Sequence, residues 1–189
     1  LLKGKRGIIF GALDENSIAW KTAEQVHAEG GSFVLTNAPI AMRMGQINEL
    51  ANKTNSEIIP ADATSIEDLE NLVDKSMEIL GGKIDFVLHS IGMSVNVRKG
   101  KAYTDQNYTF THKGWDVSAG SFHKVMQVLY KKDAMSEWGK YKKRTAQAKK
   151  CPKGYDYDHR TSKCIKSSKN RAGGKNGTKN ETTRRRYGF

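Results

Sequence analysis

Over its first 138 residues the chain alternates short β-branched runs with longer helical patterns. That alternation restricts it to a parallel sheet covered by crossover helices. Gly7-Ile8-Ile9-Phe10 reads as a first strand and residues 18–29 as the helix after it, closed by Gly30-Gly31 where a left-handed cap is expected. Residues 32–36 form a second strand and 43–53 a second helix. Residues 57–61 form a third strand with Pro60 at its end, since proline cannot donate to an interior ladder. Thr64, with Glu67 reaching back to it, is expected to cap the next helix, whose buried face is Ile66, Leu69, Val73 and Leu80. Residues 84–90 make a fourth strand, and Trp115, Phe122, Met126 and Leu129 mark the buried side of a last helix reaching about residue 138. Four strand–helix units predict an incomplete Rossmann-type α/β fold, a doubly wound parallel sheet.

Charge divides the chain at the same place. The net charge is +12, but residues 1–138 carry 15 Lys and Arg against 17 Asp and Glu, while residues 139–189 carry 17 against 3. In the second segment Ile165 is the only Val, Ile, Leu or Met. Such a segment cannot bury enough apolar surface to offset the entropy of ordering its backbone. The expected organisation is a folded domain over residues 1–138 and a basic, disordered tail over 139–189 with a short Cys151–Cys164 loop. Nucleic acid is the partner such a tail suggests, with Tyr155 and Tyr157 stacking on bases among the cations of 140–150 and 169–186. Cys151, His159 and Cys164 offer at most three soft ligands, so no metal site is expected. A Cys151–Cys164 disulfide belongs only outside a reducing cytosol. No run approaches the roughly 20 apolar residues of a bilayer span, so the expectation is a cytoplasmic protein without membrane contact.

In open α/β sheets ligands bind outside the carboxyl ends of the strands. Gly11, Asp62 and Ser90 each follow a predicted strand, and one rim would bring them together. The turn Gly11-Ala12-Leu13-Asp14-Glu15-Asn16-Ser17 lacks the full G-x-G-x-x-G fingerprint. From spacing alone it is either an ordinary turn capped by Ser17 or a pyrophosphate site on a helix N-terminus.

Three groups of residues carry a family resemblance: Ser17-Ile18-Ala19 in place of the later glycines, Asp62-Ala63 at a strand end, and His89-Ser90-Ile91-Gly92 after the fourth strand. With Gly114-Trp115-Asp116-Val117-Ser118 they resemble the enoyl-acyl carrier protein reductases of bacterial fatty acid synthesis, in wording closest to the Bacteroidetes type. These are divergent short-chain dehydrogenase/reductases. The resemblance covers residues 1–138 and implies that Gly11 and Ala12 pass close to a nicotinamide dinucleotide, with Ser17 and Ile18 near its pyrophosphate and nicotinamide ribose. It further implies that Asp62 and Ala63 hold the adenine ring, and that Ser90, Ile91 and Gly92 line the adenosine ribose and nicotinamide side. NADH is expected over NADPH, because the segment after the second strand, Thr36-Asn37-Ala38-Pro39-Ile40-Ala41-Met42-Arg43, has a single basic residue, seven positions beyond Thr36. The implied partners are an enoyl-acyl carrier protein thioester and further copies of the chain.

The family's reduction needs a tyrosine that stabilises the developing enolate and a lysine, seven positions on, that holds the ribose. Neither Tyr-x6-Lys nor Tyr-x3-Lys occurs in the chain, so no catalytic residue is assigned; His89, His123 and Tyr108 read as structural or exposed. Where a fifth apolar strand would follow Gly139, the sequence runs Lys140-Tyr141-Lys142-Lys143-Arg144. Two readings are open. One is a truncated nucleotide-binding part of a reductase, unable to catalyse and weakly stable because a sheet edge is open. The other is a scaffold with a basic nucleic-acid-binding tail.

Overall fold

The computed structural model describes residues 1–43, 46–136, 151, 155–158 and 163–166. The chain divides into two compact units, Leu1–Gly139 and Lys140–Phe189.

The first unit runs β1 (Arg6–Phe10), α1 (Ile18–Ala28), β2 (Ser32–Thr36), α2 (Pro39–Met42), α3 (Ile47–Thr54), α4 (Ile66–Ile79), β3 (Phe86–His89), α5 (Val95–Arg98), α6 (Tyr108–Trp115), a π-turn (Asp116–Gly120) and α7 (Ser121–Lys131). The sheet order is β2-β1-β3, and both pairings are parallel, with Ile8 opposite Val34 on one side and Val87 on the other. This is the expected doubly wound arrangement. Ile8, Phe10 and Val34 point to a core shared with Leu69, Leu72 and Val73 of α4 and Val125, Val128 and Leu129 of α7. Ile9, Phe33 and Leu35 point to a second core with Ala19, Trp20 and Ala23 of α1 and Leu50 of α3. A central parallel strand covered on both faces is apolar at successive positions, which is why β1 does not alternate.

Several local expectations are corrected. Residues 57–61 do not form a full strand: Ile58 makes one parallel bridge with Leu35, backed by Leu35 N–H to Glu57 C=O (2.9 Å) and Ile59 N–H to Leu35 C=O (3.0 Å). Because Glu57, Ile59 and Ala61 supply the bonds toward β2, Pro60 turns its missing donor to the free edge. The helix expected at 43–53 is α3, beginning at Ile47, and the short α2 at Pro39–Met42 lies outside that expectation. Helix α4 is capped by Ser65, whose hydroxyl accepts from Asp68 N–H, and not by Thr64, whose own N–H and hydroxyl go to Asp62. Its buried face is Leu69, Leu72, Val73 and Ser76, while Ile66 is exposed. Trp115 (67% exposed) and Phe122 (46%) face outward, and the last helix ends at Lys131 with Ser121, Val125, Val128 and Leu129 buried. The fourth strand is shorter than expected, and Ile84 before it pairs with Met135 in a parallel bridge: Ile84 N–H donates to Ala134 C=O (2.8 Å) and Ser136 N–H to Ile84 C=O (2.9 Å). A fifth segment thus begins on the outer side of β3, where the sequence offered none.

In the second unit, β4 (Tyr155–Asp158) and β5 (Lys163–Lys166) pair antiparallel, and Cys151 is disulfide-bonded to Cys164 with Cα atoms 5.7 Å apart. At the expected cysteine-bounded loop the chain thus forms a cross-linked hairpin. A cross-link over 13 residues removes about 3 kcal/mol of unfolded-state entropy. Segments 140–150 and 169–186 and His159, on which the nucleic-acid and metal readings turned, lie outside the described residues, as does Trp138. Among the described residues no three His, Cys, Asp or Glu side chains gather to hold a metal, and no helix is long and apolar enough to cross a membrane.

Candidate functional site

The carboxyl ends of β1 and β3 lie side by side, and each feeds a loop into a cavity of about 490 Å³. Gly11 leaves β1 with φ +89°, a conformation L side chains rarely adopt. A Cβ placed there would collide with the Ser90 carbonyl oxygen. The two loops therefore cross with no room for a side chain between them. Ser90, Ile91 and Gly92 line the cavity with Gly11, and an added Cβ at Gly92 would meet nothing within 4 Å. One wall is Ala38, Ile40 and Ala41 of α2 and the turn before it; the other includes Ser94, Val97 and Arg98 of α5. Arg98 is the one Lys or Arg among the described residues that line the cavity.

Of the nine residues selected from the sequence, Gly11, Ser90, Ile91 and Gly92 line this cavity. Ala12 is buried beneath it in the α1 core. Ser17 caps α1: its Oγ accepts from Trp20 N–H (3.3 Å) and donates to Asp14 C=O (2.8 Å). Ile18, the first residue of α1, is exposed. Asp62 and Ala63 stand beyond the far edge of β2, two strand positions from Gly11, and do not line the cavity. The Asp62 carboxylate closes a local turn, Oδ1 accepting from Thr64 N–H (2.8 Å) and Thr64 Oγ1 (2.7 Å), and Ala63 is buried. Arg43 is the C-cap residue of α2 and is not among the lining residues.

The sequence reading missed Asn37. Its Nδ2 donates to Ala12 C=O (3.3 Å), its Oδ1 accepts from Ala38 N–H (2.9 Å), and its carbonyl accepts from Ala61 N–H (3.1 Å). One residue at the end of β2 thus joins the β1 turn and the start of α2 through its side chain and the outer segment through its carbonyl. Its place directly after a strand, like that of Gly11 and Ser90, was the available signal.

His89 closes β3 under the cavity, its ring between Phe10 (centroids 6.0 Å) and Phe122 (5.5 Å). Its Nε2 lies 2.8 Å from Ser121 Oγ, which donates its one hydrogen to Val117 C=O (2.6 Å). Ser121 therefore accepts, and the neutral imidazole carries its hydrogen on Nε2. Burial pushes this imidazole below its ordinary value, partly offset by its own backbone. A folded-state value below the unfolded one means the unfolded chain binds the extra proton. The stability His89 contributes is present above about pH 6.5 and is lost as pH falls through the lower folded value. Thermal melts followed by circular dichroism should show a midpoint that drops between pH 7.5 and 5.5, with part of that drop removed in His89→Gln; an equal drop in the variant would exclude His89 as its source.

Comparison with known proteins bears on what such a site belongs to. A family model described as "Enoyl-(Acyl carrier protein) reductase" matches residues 11–149. An enoyl-[acyl-carrier-protein] reductase [NADH] of Rhizobium meliloti is 31% identical over 140 residues, covering 74% of this chain and 51% of that protein. The crystal structure of a FabI–NADH complex from Alistipes finegoldii is 60% identical with a TM-score of 0.71, covering 72% of this chain and 48% of that one. An enoyl-[acyl-carrier-protein] reductase (NADH) structure from Aquifex aeolicus is 28% identical with a TM-score of 0.63, covering 72% and 52%. The chain spans about half the length of the relatives it matches. With the match covering most of the chain and the parallel sheet, glycine turn and strand-end loops all in place, the chain belongs to the enoyl-(acyl carrier protein) reductase family.

Proposed function

We propose that this chain is the nucleotide-binding part of an NADH-dependent enoyl-acyl carrier protein reductase and that, as 189 residues, it binds the dinucleotide without reducing a substrate. The observation that carries the reading is the approach of Gly11 to Ser90, which leaves a backbone-lined cleft at the carboxyl ends of adjacent parallel strands. The residues present fit such a group. Gly11 and Gly92 offer backbone without side chains, and Ile40, Ile91 and Val97 offer apolar surface to a planar ring. Arg98 offers a cation to a phosphate. Ser17 and Ile18, at the start of α1, would face the pyrophosphate, where helix amides favour an anion. Asp62 and Ala63 would take the adenine edge, which requires the base to extend past Asn37 toward the outer segment. NADH when bound supplies a hydride. The tyrosine and lysine that would hold the substrate oxygen and the ribose have no counterpart at the family spacing in this sequence.

The same reading assigns the full reaction, the acyl carrier protein thioester and assembly with further copies to a protein of the relatives' length. It places the body in the cytoplasm, where the Cys151–Cys164 bond would be open. Titration of the full chain with NADH, followed by nucleotide fluorescence, should saturate, with NADPH binding more weakly. Incubation with a crotonyl thioester and NADH should leave absorbance at the reduced nicotinamide band unchanged. Failure to saturate would remove the binding half of the reading, and turnover would remove the other.

A further inference from the structure

We infer that Ser118 is a positioning residue for the dinucleotide: from the π-turn between α6 and α7 it holds Met93 by both backbone groups and so sets the 90–94 wall of the cavity. This rests on the dinucleotide reading of that cavity. Ser118 Oγ accepts from Met93 N–H (3.0 Å) and donates to Met93 C=O (3.3 Å). One turn earlier, Gly114 brings α6 so close that an added Cβ would stand 3.0 Å from the same carbonyl. Three residues after Ser118, Ser121 holds His89 at the other end of the loop. One helix thus fixes both ends of the segment from His89 to Met93, and the three residues between, Ser90, Ile91 and Gly92, line the cavity with Met93 itself.

The helix geometry fits this role. The five-residue π-turn, Asp116–Gly120, inserts a residue into an otherwise α-helical run and rotates the register of α7 by about 100°. That places Gly114 and Ser118 against the loop while Val125, Val128 and Leu129 stay in the core. Such turns cost helix regularity and recur at functional sites. Loop residues given a ligand wall to form must be held, because an unheld wall loses affinity to ordering entropy.

The test compares NADH affinity of the full chain, by fluorescence titration, in Ser118→Ala and in the isosteric pair Ser118→Thr and Ser118→Val, with amide exchange at Met93 as a ligand-free readout. Loss of two neutral hydrogen bonds to the loop should weaken NADH about tenfold in the alanine and valine variants, equivalent to about 1.4 kcal/mol. Met93 exchange should quicken in both. Threonine should bind within about twofold of the unaltered chain, and the Thr/Val contrast stands even if alanine unsettles the helix. Equal affinity in Thr and Val, or an alanine variant as tight as the parent, overturns the role of Ser118 alone. An unaltered chain that binds no NADH overturns the dinucleotide reading and this proposal with it.

Discussion

Gly11→Val is expected to lower stability by about 2–5 kcal/mol and to remove measurable NADH binding. Two independent costs combine. A β-branched residue at φ +89° is strained by about 1–2 kcal/mol whatever surrounds it. A Cβ there also collides with the carbonyl of Ser90, which is backbone and cannot rotate aside, adding about 1–3 kcal/mol. The loop can yield only by pulling Ser90 out of the cavity wall, so binding fails with the geometry. Gly4 separates the two costs: it has φ +74° but nothing within 4 Å of an added Cβ. Gly4→Ala should therefore cost only the backbone strain, about 1–2 kcal/mol, and leave NADH binding unchanged. Urea unfolding at constant m measures both. Equal losses in the two variants would mean that the Gly11–Ser90 approach is unimportant.

Phe10→Ala carries the other large effect, about 3–5 kcal/mol. Phe10 ends β1 with its side chain 1% exposed, joined to the α4/α7 core and against one side of the His89 ring. Phe122 touches the other side of the same ring but is 46% exposed. Phe122→Ala should cost about 1 kcal/mol, the worth of an aromatic pair with little burial behind it. At about 2–4 °C per kcal/mol the Phe10 variant should melt roughly 6–20 °C lower, the Phe122 variant only about 2–4 °C lower. Similar shifts would mean that the ring stack, and not burial, holds this end of the sheet.

The contrast between these two phenylalanines shows where sequence reading gave out. Helical spacing with Met126 and Leu129 predicts a buried Phe122. The face of α7 that packs into the core is Ser121, Val125, Val128 and Leu129, which leaves Phe122 beside that face, against the His89 ring. Thr64 meets every local requirement of a capping residue, yet Asp62 engages both its N–H and its hydroxyl, and the cap moves to Ser65. Residues 57–61 have strand composition, but at the outer edge of the sheet a single bridge suffices. For Phe122 and for residues 57–61 the deciding neighbours lie elsewhere in the fold, whereas for Thr64 the deciding neighbour is Asp62, two positions away.

The sequence alone determined the alternation of strands and helices, hence the parallel sheet, and the charge boundary between body and tail. These are properties of composition and period, which short-range sterics and burial read directly. Its glycines and strand-end residues also marked Gly11 and Ser90–Gly92. Only the tertiary structure decided that the loops after β1 and β3 cross without space for a side chain, that Asn37 ties three segments together, and that Ser118 and Ser121 grip one loop from one helix. It also separated Asp62 from the cavity and gave the tail a cross-linked hairpin. These contacts join residues far apart in the chain, 25 positions for Ser118 with Met93 and 32 for Ser121 with His89. Their existence depends on strand order and helix phase, quantities that no local run of residues carries.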